Sequence, residues 1–192
     1  MILMSFPVYK SSYPDVPLPT CSIFTYLLSS DSKGNIGGLP GHLPAFIDAE
    51  SGSILTRSTL HALSLSLAYG LTNGHTTTTL KKGDTILLFS PNSITFPLVL
   101  FGAIAGGLRV TLANSAYQPA ELEHQWDDSS SKMIFAHPAL LGTVKAMFEM
   151  KGLGESEWKK KVVVVSNEWI TGRPDDGTSR RASSSTFPFS HL

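Results

Sequence analysis

The sequence predicts an α/β fold, an open and mostly parallel sheet with flanking helices. Two observations carry this. Short apolar runs without alternation, Ile86-Leu87-Leu88-Phe89, Met133-Ile134-Phe135-Ala136 and Val162-Val163-Val164-Val165, read as strands buried on both faces. Between them lie stretches with helical spacing of apolar residues, so strand and helix alternate in chain order, which favours right-handed parallel crossovers.

The polar turn Lys81-Lys82-Gly83-Asp84 leads into the first buried strand, and Ser90-Pro91-Asn92-Ser93 ends it. Thr95 to Gly106 follows as a helix, apolar around most of its circumference, with Pro97 tolerated in the first turn and Gly106-Gly107 as its stop. Arg109 to Leu112 is the second strand. Pro119 opens a helix whose Glu121 and Glu123 favour its positive end, with Leu122 and Trp126 toward the core and Asp127 and Asp128 toward solvent. Lys132 to Ala136 gives the third strand. Pro138 begins a helix directing Leu140, Leu141, Val144 and Phe148 at the sheet, stopped near Lys151 to Gly154, and Lys161 to Val165 gives the fourth strand.

Ahead of this unit, Pro7, Pro14, Pro17 and Pro19 forbid a regular helix, so residues 1–20 are expected as an extended arm lying on the domain. Ser22 caps a short helix Ile23 to Leu28 with Phe24, Leu27 and Leu28 on one apolar face. Ser29 to Gly41 is expected as a mobile loop. Ala45 to Asp48 and Ser53 to Thr56 form a hairpin. Leu60, Leu63, Leu67 and Leu71 recur at helical spacing, with Ser64, Ser66 and His61 placed elsewhere on the circumference, and the helix ends near Gly70 to Gly74. His75 to Thr79 is expected as a surface loop. From 169 to 192 the chain has little to bury and is expected as a disordered tail, leaving 21–168 as the packed domain.

Of 192 residues, 42% are hydrophobic, and 15 basic residues balance 15 acidic ones. Net neutrality gives no electrostatic reason to expect nucleic acid or an anionic membrane as partner. The longest apolar stretch, Phe96 to Leu108, is too short for a membrane span. The N-terminal residues lack the basic region and long apolar core of a signal peptide. Cys21 is the single cysteine, which excludes an internal disulfide and fits a reducing compartment; its apolar following segment predicts a buried or half-buried thiol.

Several fragments in fixed order resemble a family. Leu80-Lys81-Lys82-Gly83-Asp84, Ser90-Pro91-Asn92-Ser93, the glycine-rich helix end before Val110, and Ala113-Asn114 followed by Tyr117, Pro119, Glu121 and Leu122 are similar to the N-terminal part of adenylate-forming enzymes, in the 4-coumarate and acyl-CoA ligase branch. Weaker matches run back to Tyr13-Pro14-Asp15-Val16 and forward to Val165. The resemblance implies a partial N-terminal subdomain of the acyl-CoA ligase-like fold. One departure is local: Arg57 and Thr59 stand before Leu60, where the family usually has an aromatic and an acidic residue.

The resembled enzymes activate a carboxylic acid with ATP and transfer it to CoA, using Mg²⁺. Their Ser/Thr/Gly-rich phosphate loop ending in Lys-Gly, aromatic-Gly-x-Thr-Glu segment, ribose-binding Asp and C-terminal Lys have no counterpart in these 192 residues. No residue is therefore assigned a catalytic, cofactor-binding or metal-binding role, and ATP, Mg²⁺ and CoA are expected only in longer relatives. Gly102, Gly106 and Gly107 lack the phosphate-loop lysine and have a structural use. Pro91, Asn92 and Ser93, and then Asn114 and Tyr117, fall after strands and are read first as turn, cap or packing residues. His42, His61, His75, His124, His137 and His191 show no metal spacing; His124 with Asp127 and Asp128 suggests a surface hydrogen bond. Asp15 and Asp48 make no paired-carboxylate motif, and Trp126 and Phe135 read as core residues.

Three functions follow: an inactive piece of an acid–CoA ligase, a non-catalytic interaction or regulatory protein built from the same subdomain, and, ranked last because the phosphate motif is absent, a small nucleotide-binding module. The partner implied by either of the first two is the missing ligase region or a homologous full-length ligase. The expected location is cytoplasmic, with the terminal Ser190-His191-Leu192 offering a peroxisomal alternative because it resembles the Ser-Lys-Leu import signal.

Overall fold

A computed structural model describes residues 9–74, 76 and 78–171. Chain order runs through α1 (Ile23–Leu28), β1 (Asn35–Ile36), β2 (Leu39–Pro40), β3 (Pro44–Ile47), β4 (Ile54–Thr56), α2 (Arg57–Thr72), β5 (Thr85–Phe89), α3 (Phe96–Ala105), β6 (Arg109–Ala113), α4 (Pro119–Asp128), β7 (Met133–Ala136), α5 (Leu141–Met150), α6 (Glu155–Trp158), β8 (Val162–Val164) and α7 (Glu168–Thr171). A 3-10 turn at Pro138–Leu140 leads into α5.

The centre is a four-stranded parallel sheet of order β6-β5-β7-β8. Every residue of β5 is buried, and the pleat sends its side chains to two separate cores. Ile86 and Leu88 pack with Leu67, Leu71, Val99 and Ala103 of α2 and α3. Leu87 and Phe89 pack on the opposite face with Leu122 and Trp126 of α4 and Val144 and Phe148 of α5. Covering both faces lets a strand be apolar throughout, as the sequence predicts. Phe148 lies between two indoles, edge-on to Trp126 at 5.3 Å and stacked on Trp158 at 6.4 Å between ring centroids. A third cluster joins Phe24, Leu28, Leu55, Leu60 and Leu98, seating α1 and the hairpins beside α3.

Local chemistry sets the helix ends. Ser22 and Thr56 are N-caps whose hydroxyls accept from the backbone N–H of Thr25 and Thr59. Glu121 accepts from the Gln118 N–H at 2.8 Å, closing the start of α4. Gly107 follows α3 at φ +70°, a conformation that glycine adopts without a Cβ penalty. Gly102 lets α3 approach α2 closely, since a Cβ there would lie 2.7 Å from Leu67 Cδ2.

Several expectations are corrected. The arm over residues 9–20 is exposed throughout, with Tyr9, Tyr13, Val16 and Leu18 in solvent, so it does not lie on the domain. The Ser29 to Gly41 segment contains the β1–β2 hairpin, turned by Gly37 and Gly38 at φ +58° and +75°. Asp31 anchors it by accepting from the backbone N–H groups of Lys33 and Asn35. Leu27 is exposed, Cys21 is exposed because it precedes the cap of α1, and Ser64 is fully buried on the inner face of α2. Packing continues past residue 168: Ile170 is buried in the third cluster and Trp169 packs against it. His75, Thr77 and the segment 172–192 lie outside the described residues.

Candidate functional site

The sheet begins at β5, crosses to β6 on one side and then to β7 on the other. Loops leaving β5 and β7 therefore diverge toward opposite faces at the carboxyl ends of adjacent strands, the place where open α/β sheets bind ligands. Three of the sequence-selected groups come to this edge: Ser90 to Ser93 after β5, Asn114 and Tyr117 after β6, and His137 after β7.

Their polar atoms are mostly engaged within the chain. Ser90 is buried and its hydroxyl donates to the Pro91 carbonyl at 2.8 Å. Ser93 and buried Thr95 share a hydroxyl hydrogen bond of 3.1 Å at the start of α3. Asn114 accepts from the Ala116 N–H at 3.0 Å, and the Tyr117 ring packs against the α4–α5 core. The His137 N–H donates to the Phe89 carbonyl, and its Nδ1 accepts from the Ala139 N–H at 3.2 Å, which places the neutral ring's proton on Nε2. His137 as a strand-end cap was not foreseen beyond its place among the histidines; the following Pro138, a favoured first helical residue, was the available signal.

A shallow groove lies beside β6, lined by Thr111, Leu112, Tyr117, Glu121, His124 and Asp128. The expected interplay of His124 with Asp127 is replaced by another: Lys151 Nζ reaches both Asp127 oxygens, at 2.8 and 2.7 Å, and lies 3.8 Å from Glu123. That cation ties α4 to the end of α5. Among the described residues no group of three or more His, Cys, Asp or Glu is placed to hold a metal ion, and no helix is long and apolar enough to cross a membrane.

The perturbed carboxylates have local causes. Asp31 is held below the usual carboxylate range first by the Asn35 backbone N–H and then by the Asn35 side chain. Asp48 is lowered by the N–H groups of Glu50 and Ser51 in the β3–β4 turn, a structural role rather than half of a catalytic pair. Glu155 is lowered by its hydrogen bond with Lys159. His61 stacks on Phe24 at 5.7 Å, and burial lowers its pKa. These groups shape turns and helix contacts; at the strand ends the residues Ser90, Ser93, Thr95, Asn114 and His137 supply hydroxyls, an amide and an imidazole.

The sequence pattern of the AMP-binding enzyme family matches residues 37–187. A rice protein described as 4-coumarate--CoA ligase-like 3 is 32% identical over 129 residues, covering 67% of this chain and 21% of that protein. The long-chain-fatty-acid--CoA ligase of Escherichia coli O157:H7 is 38% identical over 99 residues, covering 49% and 17%. This chain thus spans about a fifth of the length of such curated relatives. Among solved structures, a long-chain-fatty-acid-CoA ligase from Archaeoglobus fulgidus superposes with a TM-score of 0.62 at 22% identity, covering 82% of this chain and 30% of that one. A benzoate CoA ligase from Burkholderia xenovorans LB400 gives 0.56 at 21%, covering 68% and 25%. These two likenesses concern the fold: the parallel sheet and its flanking helices are those of the N-terminal part of acyl-CoA ligases.

Proposed function

Because this chain belongs to the AMP-binding enzyme family, related to the acyl-CoA and 4-coumarate-CoA ligases, we propose that it is the N-terminal structural portion of an AMP-forming acid–CoA ligase and that these 192 residues alone do not adenylate. The observation that carries the reading is a mismatch between framework and chemistry. The sheet, its crossovers and the matched segment are family framework, whereas the strand-end loops do not fit ATP with Mg²⁺.

Adenylation builds negative charge on the phosphates, which needs oriented donors and cations in place before the reaction. Here Ser90, Ser93 and Thr95 spend their hydroxyls on one another and on a carbonyl. Asn114 closes its own turn, and His137 caps its own helix. The loops position the ends of α3, α4 and α5; they bind and activate nothing by themselves. In a longer form, the region outside these residues would carry the nucleotide and the acid, with CoA as acyl acceptor.

The test is carboxylate-dependent exchange of labelled pyrophosphate into ATP by the purified chain, across aromatic and fatty acids. The expected result is exchange at the level of a no-protein control. Exchange above that level, dependent on the acid, would overturn the proposal.

A further inference from the structure

A formal net charge of zero hides a segregation of charge that the parallel sheet creates. All strands of the central sheet start at one end, and the residues leading into them are basic: Lys81 and Lys82 before β5, Arg109 at the first position of β6, Lys132 before β7, and Lys159, Lys160 and Lys161 before β8. The backbone ties these starts side by side. The Gly83 N–H donates to the Gly107 carbonyl, the Arg109 N–H to the Asp84 carbonyl and the Lys132 N–H to the Thr85 carbonyl, at 2.9, 2.8 and 2.8 Å, and the pairing of Val162 with Ile134 brings Lys161 beside Met133. In the order β6-β5-β7-β8 the cations therefore cross the amino edge of the sheet in a row, about 14 Å long at ~4.8 Å per strand.

Most of that charge has no use inside the fold. Lys81, Lys82, Arg109 and Lys132 are exposed and Lys161 is half-buried, and among the described residues none of these is ion-paired with a carboxylate. None lies in the last turn of α2, α3, α4 or α5, where a cation would offset the negative end of the helix. Inside the row stands the half-buried Asp84, whose carboxylate accepts from the Lys81 N–H. Other carboxylates near this end lie to one side: Asp127 and Asp128 end α4, Glu155 and Glu157 belong to α6, and Asp127 and Glu155 pair with Lys151 and Lys159. The row is thus a narrow positive strip with an acidic flank.

We infer that this strip is a docking surface for a linear acidic segment of another protein, an extended run rich in Asp or Glu laid across the strand starts. Shape and sign decide the class of partner. A bilayer surface or a nucleic-acid duplex is broader than the strip, so contact would also press phosphates against the exposed Asp128, Glu155 and Glu157, where like charges repel. An extended peptide can follow the strip alone, and with side chains on one face every ~7 Å it sets two or three carboxylates along the row. The strip faces away from the loops at the carboxyl ends of the strands, so the inference does not depend on the function proposed above.

The experiment titrates a fluorescein-labelled peptide of alternating glutamate and serine with the whole chain and reads fluorescence anisotropy. Saturable binding is expected at about 20 mM salt and is expected to be largely lost by about 300 mM, because salt screens exposed charges. One variant combines Lys81→Gln, Lys82→Gln and Lys132→Gln in the strip; a control combines Lys10→Gln, Lys33→Gln and Lys145→Gln elsewhere, with the same change in net charge. All of these side chains are exposed, so both variants are expected to keep the circular dichroism of the native chain. The strip variant is expected to bind the peptide at least about tenfold more weakly, since each exposed pair contributes up to about fivefold, and the control to bind as the native chain does. Absence of binding at low salt, equal weakening by the two variants, or tighter binding to phosphatidylserine vesicles or to a DNA duplex than to the peptide would overturn the inference.

Discussion

Replacing Gly102 by alanine tests the α2–α3 contact directly. A Cβ at this position would lie 2.7 Å from Leu67 Cδ2, 3.0 Å from Leu67 Cβ and 3.1 Å from Leu67 Cγ. The first clash alone could be relieved by rotating a methyl, but the second involves an atom fixed to the α2 backbone, and Leu67 is itself only 3% exposed. Relief therefore requires moving α2. Alanine gains about 0.8–1.0 kcal/mol in helix propensity over glycine, whereas forcing a methyl into a filled core costs about 1–3 kcal/mol. The net expectation is destabilisation by about 1 kcal/mol in urea unfolding followed by circular dichroism, with an unchanged m-value. In a Leu67→Ala background, itself weakened by about 2–5 kcal/mol, the contacts with Cδ2 and Cγ are removed while the 3.0 Å approach to Cβ remains, so Gly102→Ala is expected to cost less there than in the native chain. Gly106→Ala serves as the comparison, because its Cβ would meet no atom closer than 3.4 Å. Equal effects of Gly102→Ala in both backgrounds, or stabilisation in the native one, would refute the argument.

Three further outcomes are expected. Ser64 is fully buried and its Oγ lacks a hydrogen-bond partner among the described residues, so Ser64→Ala should raise stability by about 1 kcal/mol, measured by the same urea curves; a loss would mean that the hydroxyl has a partner in solution. His61 has its pKa lowered by burial against Phe24, so the unfolded chain binds the proton first: the associated stability is complete above the ordinary histidine range and declines as pH falls through it to the lowered folded value. His61→Phe should flatten the dependence of the urea midpoint between about pH 7 and 5, and an unchanged slope would exclude His61 as its source. A fluorescent protein fused ahead of Met1 should give diffuse cytoplasmic signal; punctate signal lost on deleting Leu192 would instead assign Ser190-His191-Leu192 to peroxisomal import.

The parallel sheet was legible because its strands are buried on both faces, which forces continuous apolar runs, and because intervening helices carry their own period. Two misreadings had signals in plain sight. Ser64 lies four residues after Leu60 and seven before Leu71, on the stripe that faces inward, but its hydroxyl suggested solvent. Close helix packing favours small residues over apolar ones at such a point, and α2 meets α3 there through Leu67 and Gly102. Gly37-Gly38 between Ile36 and Leu39 is a two-residue hairpin signal; the strands it joins are too short to show alternation, so the segment looked like a loop. The exposure of Cys21 follows from chain position: Ser22 is the cap, which puts the thiol outside the helix.

The strand ends were less legible for a physical reason. Ser90, Ser93, Asn114 and His137 are residue types equally suited to turns and to ligands, and only the partner of each hydroxyl or nitrogen decides between the two. In this chain each partner is internal, so the edge that topology selects for a ligand is occupied by its own capping bonds.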